Sequence, residues 1–292
     1  MNILNRQYLL YRTASLALIY RLTSEGWDSA PSIPSHSPSL CAGSGAFSTT
    51  DDLFQAQKKV VGYKAVHDFV KSGMVVGIGT GTTTLFALRR IKELLKSGEI
   101  ENVTIVPCSK IARNYCEKHL IPTTSISEAL KQDDPSVSQR NLDVLIDGAD
   151  EVDLQYNLLK GGHGSMIREK MMGNRADRCI IVIDERKLQM KAGMAAPLVV
   201  EILATEAHFT ISRIQSLPAM QGSRGVIRMG TRETSVPDGM APAESENRCL
   251  LVDFFLPHRA TDIDYAALSA ELDAMTGVVA HGYVSLIYIA TI

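Results

Sequence analysis

The sequence predicts an α/β fold: a parallel-sheet, Rossmann-like domain with a smaller inserted α+β domain. Three observations predict it. Four short apolar runs read as strands: "MVVGIG" (74–79), "NVTIVP" (102–107), "LDVLID" (142–147) and "CIIVID" (179–184). Segments with helical spacing of their apolar residues separate them, and strands that alternate with helices build βαβ units, hence a parallel sheet covered by helices. After about residue 203 the character changes, and helices and strand-like runs follow without that alternation.

The regular pattern starts at Thr50, which with Asp51 and Asp52 makes a helix N-cap and an acidic first turn. Val60, Tyr63, Val66 and Val70 recur at helical spacing, and Gly73 suits the position just past a helix end. Segment 82–98 is amphipathic, with Leu85, Leu88, Ile91 and Leu95 on one stripe, and 109–119 and 166–176 also read as helices. Further on, 204–217 and 264–275 are helical, 224–230 and 248–256 strand-like, and 277–292 β-rich. The stretch 231–247, with Pro237, Gly239 and Pro242, reads as a loop. The expected division is therefore an N-terminal extension over 1–49, an α/β domain over 50–202, a smaller α+β domain over 203–277 and a β-rich C-terminal segment over 278–292.

The extension is distinctive. Residues 1–24 carry Arg6, Arg12 and Arg21 and no acid, and 29–50 are rich in Ser, Pro, Gly and Ala. Two readings stand equally: a cleavable transit peptide, or the plainer one of a disordered tail or a misassigned start codon. The compartment follows that choice: the cytoplasm, or a plastid or mitochondrion if the extension is a transit peptide.

Composition narrows the function classes. With 292 residues, 45% of them hydrophobic, the chain can bury a sizeable core. A net charge of −2 and a pI near 6.4 argue against a dedicated nucleic-acid binder, which usually carries a basic excess. No apolar run approaches the ~20 residues a membrane helix needs. The cysteines, Cys41, Cys108, Cys116, Cys179 and Cys249, are odd in number and contain no C-x-x-C pair, which points to a reduced compartment. Scattered histidines without ligand spacing leave no metal site encoded in the sequence.

Two stretches carry chemistry. "VGIGTGTTT" places Gly77, Gly79 and Gly81 between a strand and a helix, where the backbone can turn sharply and approach a ligand closely. Thr82 and Thr83 add hydroxyls and N–H groups at the helix start, a natural phosphate site. A Walker A loop would need Gly-Lys-Ser/Thr, and no lysine is present. A dinucleotide loop would need a sixth-position glycine, where Thr84 stands, and an acid ending the next strand, where Pro107-Cys108-Ser109 stand. A small phosphorylated molecule remains.

The second stretch is "LIDGADEVDLQYNLLKGGHGSMIREK", residues 145–170. Asp147 and Asp150 fall at the carboxyl end of a strand, the edge where open α/β sheets bind ligands. Lys160 precedes Gly161 and Gly162, so the backbone there can come close to a substrate, and Glu169 lies near a helix start. Singly, Asp147 could cap a turn, Lys160 be a solvated loop lysine, and Glu169 an ordinary first-turn acid. On one sheet edge beside a phosphate loop, they read as a site.

"VGIGTGTTT", "LIDGADEVD" and "LLKGGHGSMIREK", in this order and at these separations, resemble ribose-5-phosphate isomerase of the A type over roughly residues 55–285. "KKVVGYKAV" and "APLVVEI" lend weaker support. The resemblance implies a cofactor-free, metal-free aldose–ketose isomerase that interconverts ribose 5-phosphate and ribulose 5-phosphate, in the non-oxidative pentose phosphate pathway, as a homodimer or homotetramer. It implies Glu169 as the base between C1 and C2, Lys160 at the sugar oxygens, and Asp147, with Asp150 beside it, in ring opening or proton transfer between O1 and O2. Thr80, Gly81, Thr82 and Thr83 match the substrate-binding glycine loop, and Lys58 more loosely matches a lysine near the phosphate.

The chain departs from the family in three places. His163 stands where a third glycine is usual, which suggests a tolerated substitution rather than a catalytic group. "DERK" keeps the lysine of the next motif, Lys187, but has Arg186 in place of a serine. The segment after "GVV" is shortened relative to the family. The competing readings are another sugar-phosphate isomerase or deaminase on a similar fold, and a non-catalytic sugar-phosphate sensor. A sensor of that kind should carry a helix-turn-helix, and no convincing pair of amphipathic helices precedes residue 50.

Overall fold

The computed structural model describes residues 50–129, 142–230, 241–257 and 263–285, and the backbone of 8–13 and 16–21. The chain runs β1 (Tyr8–Thr13), β2 (Leu16–Arg21), α1 (Thr50–Phe69), β3 (Val75–Ile78), α2 (Thr82–Ser97), β4 (Thr104–Pro107), α3 (Lys110–Lys118), α4 (Ile126–Ala129) and β5 (Val144–Asp147). It continues with β6 (Glu151–Asp153), β7 (Asn157–Leu159), α5 (Met166–Arg175), β8 (Cys179–Asp184), β9 (Leu188–Gln189) and β10 (Leu198–Ile202). The remainder is α6 (Ala207–Gln215), β11 (Arg224–Ile227), β12 (Leu250–Phe255), α7 (Tyr265–Asp273), β13 (Val278–His281) and β14 (Tyr283–Ser285). The described residues fall into two compact units: one from those up to Gly148 with Met172–Glu185, the other from Ala149–Met171 with those between Arg186 and Ser285.

The first unit is an α/β sheet in the order β1-β2-β8-β5-β3-β4. Strands β8, β5, β3 and β4 are parallel, as the alternation of strands and helices predicts. The four predicted runs form these four strands. Their side chains are buried because helices cover the sheet: Ile78, Ile105, Ile146 and Val182 pack with Leu88 and Ile91 of α2 and Val61, Ala65 and Val66 of α1. Each buried Val, Leu or Ile here contributes roughly 1.5–3 kcal/mol. Truncating fully buried Leu88 to alanine would therefore cost about 2–5 kcal/mol.

The second unit holds two four-stranded sheets, β11-β12-β10-β13 and β14-β7-β6-β9. The first is antiparallel throughout. Phe254, Leu198, Val200, Ile214, Leu268 and Leu272 form the centre of its core, where α6 and α7 bury their apolar sides.

Four expectations change. Val60 is 45% exposed, and its neighbour Val61 at 3% takes the buried place on α1. Two adjacent valines fit helical spacing equally well, and only packing chooses between them. The expected boundary at 202/203 lies within the second unit, which already includes residues 149–171 and begins again at Arg186. Strands β6 and β7, three residues each, were not expected, since so short a run has no period to read. In the stretch 1–49, read as an extension, Tyr8–Thr13 and Leu16–Arg21 form an antiparallel hairpin, and β2 pairs antiparallel with β8 from Leu16↔Asp184 to Arg21↔Cys179. The side chains of Thr50 and Asp51, and with them the expected cap, are not described, and most of the loop 231–247 and residues 286–292 lie outside the described residues.

Candidate active site

In the first unit the site residues gather where β3 and β5 end. Gly79 follows β3, and its N–H donates to Ile146 O at 2.9 Å. A Cβ on Gly79 would lie 1.7 Å from Asp147 Oδ1. The carboxylate therefore occupies the space that any other residue at 79 would need. Asp147 is 2% exposed and accepts from the Gly148 N–H at 2.7 Å. Thr80 is buried, with Oγ1 3.2 Å from Cys108 Sγ.

Gly81 caps α2 at φ 146°, a conformation that suits glycine, and brings no capping side chain. The first-turn N–H groups of α2 have no intrahelical acceptor, so their donors and the helix dipole suit an anion. Thr82 is exposed there and Thr83 buried, while Thr84 Oγ1 donates back to Gly81 O at 2.8 Å. Lys58, on α1, has its Nζ 4.0 Å from the fully buried Asp184 carboxylate. The structure thus gives Lys58 a carboxylate to neutralise, which the sequence pattern did not indicate.

In the second unit β6, β7 and the first turn of α5 bring together Asp150, Lys160, Gly161, Gly162 and Glu169. Lys160 directly follows β7, and its N–H donates to Gly282 O at 2.8 Å. Its Nζ lies 3.1 Å from Glu169 Oε2, with the side chains 7% and 5% exposed. A buried charge pair of this kind is expensive to desolvate, and removing one partner strands the other. Glu169 sits in the first turn of α5, where the helix dipole favours an acid.

Gly161 is favoured by conformation and by contact, Gly162 by contact alone. Gly161 has φ 112°, and a Cβ there would come 2.8 Å from Val199 Cβ. At Gly162 a Cβ would come 2.5 Å from Asp150 Oδ1, and its N–H donates to Asp150 Oδ2 at 2.7 Å. Lys187 Nζ donates to Ala149 O, next to Asp150. His163 is exposed on the same loop. Desolvation pushes its basicity down, against the raising pull of Asp150 and Glu169, while Lys187 and Lys160 lower it further.

The structure also separates the acids of "DGADEVD" by job. Glu151 is fully buried and accepts from the N–H groups of Met194, Ala195 and Ala196 at 3.0, 2.9 and 2.6 Å. Asp153 Oδ1 accepts from the N–H groups of Gln155 and Asn157, closing the turn between β6 and β7. Sequence reasoning singled out neither, nor Arg228 and Asp253. Adjacent acids look alike in a motif, and only the backbone around them tells a staple from a site.

The first unit thus has a glycine-started helix after a parallel strand, and the second a buried lysine–glutamate pair at a strand end, in a protein of the α/β class. Residues 104–291 match the profile of ribose 5-phosphate isomerase A (phosphoriboisomerase A). The ribose-5-phosphate isomerase of Plasmodium falciparum is 33% identical over 237 residues, 80% of this chain and 92% of that one. A solved structure of ribose 5-phosphate isomerase from that organism covers 80% of this chain and 91% of its own, with a TM-score of 0.69 and 32% identity. A D-ribose-5-phosphate isomerase solved in complex with phospho-erythronic acid is 29% identical, covers 80% of this chain and 91% of its own, and has a TM-score of 0.67. The chain belongs to the ribose 5-phosphate isomerase A family.

Proposed function

We propose that Glu169 and Lys160 carry the proton transfer by which this chain interconverts ribose 5-phosphate and ribulose 5-phosphate. The observation that supports this most directly is their buried contact at 3.1 Å. An aldose becomes a ketose when the C2–H bond breaks and its electron pair forms C1=C2, which pushes the C1=O1 π pair onto O1 and leaves that oxygen anionic. The proton then returns to C1, and O2 becomes the carbonyl oxygen once its own proton has passed to O1. One base suffices for the two carbon sites, and Glu169 is that base. An electropositive group at the enediolate oxygen lowers the barrier, and the Lys160 ammonium supplies it.

Asp147 and Asp150 take the hydroxyl chemistry, ring opening and the transfer between O2 and O1. The start of α2, with Thr80, Gly81, Thr82 and Thr83, binds the phosphate. Holding a non-reacting phosphate contributes binding energy that orients the reacting carbons. Lys58 and Lys187 add positive charge, and the working form is a homodimer or homotetramer.

An isomerase assay on purified protein with chelator present, comparing ribose 5-phosphate with an amino-sugar phosphate, tests the reading. Turnover of ribose 5-phosphate alone is expected. Turnover of the amino sugar alone would overturn the substrate assignment. Light scattering of the purified chain checks the oligomer, and a monomer that turns over at full rate would remove that part.

A further inference from the structure

We propose that Arg228 is a positioning residue for the isomerase reaction: it fixes the loop that carries Lys160 by holding the carbonyl groups of Gly161 and Gly162. This rests on the role given above to Lys160.

The loop has a physical problem. Two consecutive glycines follow Lys160, and glycine restrains its own backbone less than any other residue. A lysine on such a loop wanders unless something outside holds the backbone, and a misplacement of about 1 Å can cost on the order of 10²-fold in rate. On the donor side the restraint is clear: Lys160 N–H goes to Gly282 O and Gly162 N–H to Asp150 Oδ2. On the carbonyl side the Gly164 N–H donates to Gly161 O at 3.1 Å, a bond within the loop itself, so tying both carbonyls to the rest of the unit takes a donor from outside the loop that can serve two acceptors at once.

Arg228 is that donor. Its Nη1 lies 3.0 Å from Gly161 O and 3.2 Å from Gly162 O. The rest of the guanidinium is occupied: Nε donates to Asp253 Oδ2 at 3.0 Å and Nη2 donates to Asp253 Oδ1. This two-pronged pair sets the plane of the fork and aims Nη1 at the glycines. The side chains are 19% and 17% exposed, so water competes little. The anchor is itself rigid. Arg228 directly follows β11, donates its N–H to Leu251 O and accepts from the Ala243 N–H, and Asp253 lies within β12. A second tie acts on α5, where Arg168, the residue before Glu169, is paired with Glu246. A lysine at 228 could not reproduce the fork, because its ammonium is a point charge without a fixed plane.

The test is steady-state kinetics of Arg228→Ala, Arg228→Lys, Asp253→Asn and the double variant, with Lys160→Ala in parallel. Arg228→Ala should lose on the order of 10–100-fold in kcat, with KM for ribose 5-phosphate changed less than threefold. A general loss of folded protein would not produce that split once rates are scaled to folded enzyme. Added guanidinium ion should restore part of kcat in Arg228→Ala and none in Lys160→Ala. Asp253→Asn should lower kcat in the same direction, and the double variant should be no worse than Arg228→Ala. A folded Arg228→Ala within threefold of the parent kcat overturns the proposal. If that variant does not fold, Asp253→Asn at the parent kcat overturns it instead. A Lys160→Ala variant at the parent rate overturns the role of Lys160 and this proposal together, an outcome distinct from loss of Arg228 alone.

Discussion

Lys160 Nζ and Glu169 Oε2 meet at 3.1 Å in a place where almost none of either side chain reaches water. A base in this position, beside a cation, can take a carbon-bound proton, exchange part of it with solvent while the enediolate lasts, and deliver a proton to the neighbouring carbon. Glu169→Gln keeps the size and a hydrogen-bonding head but removes the proposed base. Its kcat should fall ~10²–10⁴-fold, while ribose 5-phosphate still binds. Exchange of the substrate C2 proton with solvent, followed by NMR in D₂O, should vanish. Exchange at the parent rate would pass the role of base to Asp147.

Lys160→Ala should differ from the glutamine variant in two ways. In the proposed role the ammonium acts on substrate oxygens in ground and transition states alike, so KM should rise as kcat falls. The buried Glu169 carboxylate also loses its partner, which costs about 3–5 kcal/mol in comparable cases. Thermal unfolding should show a lowered Tm for Lys160→Ala and a smaller change for Glu169→Gln.

Gly79→Ala tests the other end of the chemistry. The added Cβ would fall 1.7 Å from Asp147 Oδ1, so the carboxylate must leave its present position or the loop must shift. The kcat should drop at least ~10-fold, in line with the sensitivity of catalysis to small displacements. A crystal structure of the variant should show Asp147 rotated. Parent activity with Asp147 unmoved would show that the space was available after all.

Lys170 supplies a pH signature. Burial lowers its pKa from 10.5 to about 8, partly opposed by Asp273. In the unfolded chain it keeps the ordinary value, so between pH 8 and about 10.5 the unfolded state binds more protons. The penalty for burying the charged amine is therefore complete below pH 8 and fades as pH rises toward 10.5. Lys170→Met should raise Tm at pH 7 and lack the upward component of stability that the parent gains above pH 8. Equal Tm differences at pH 7 and pH 10 would contradict this.

Much of the first unit is legible locally. The four apolar runs became β3, β4, β5 and β8, and the amphipathic segment after the glycines became α2. The candidate residues Asp150, Lys160, Gly161, Gly162 and Glu169 were readable from a motif and do come together. What could not be read was the job of each acid in that motif. Asp150 and Glu151 are neighbours, yet one holds the Gly162 N–H and the other three N–H groups more than forty residues away.

By itself, the sequence determined the alternation of strand and helix, the glycine turn before α2 and the motif set of the isomerase family, because these are encoded in local period, backbone freedom and residue order. Only the tertiary structure decided that Val61 rather than Val60 is buried, that Asp184 lies near Lys58, that β2 lies along β8, and that Arg228 reaches back across 67 residues to Gly161. The reason is that a hydrogen bond or a packing contact between distant segments has no period. It exists only once the sheets have set the two ends side by side.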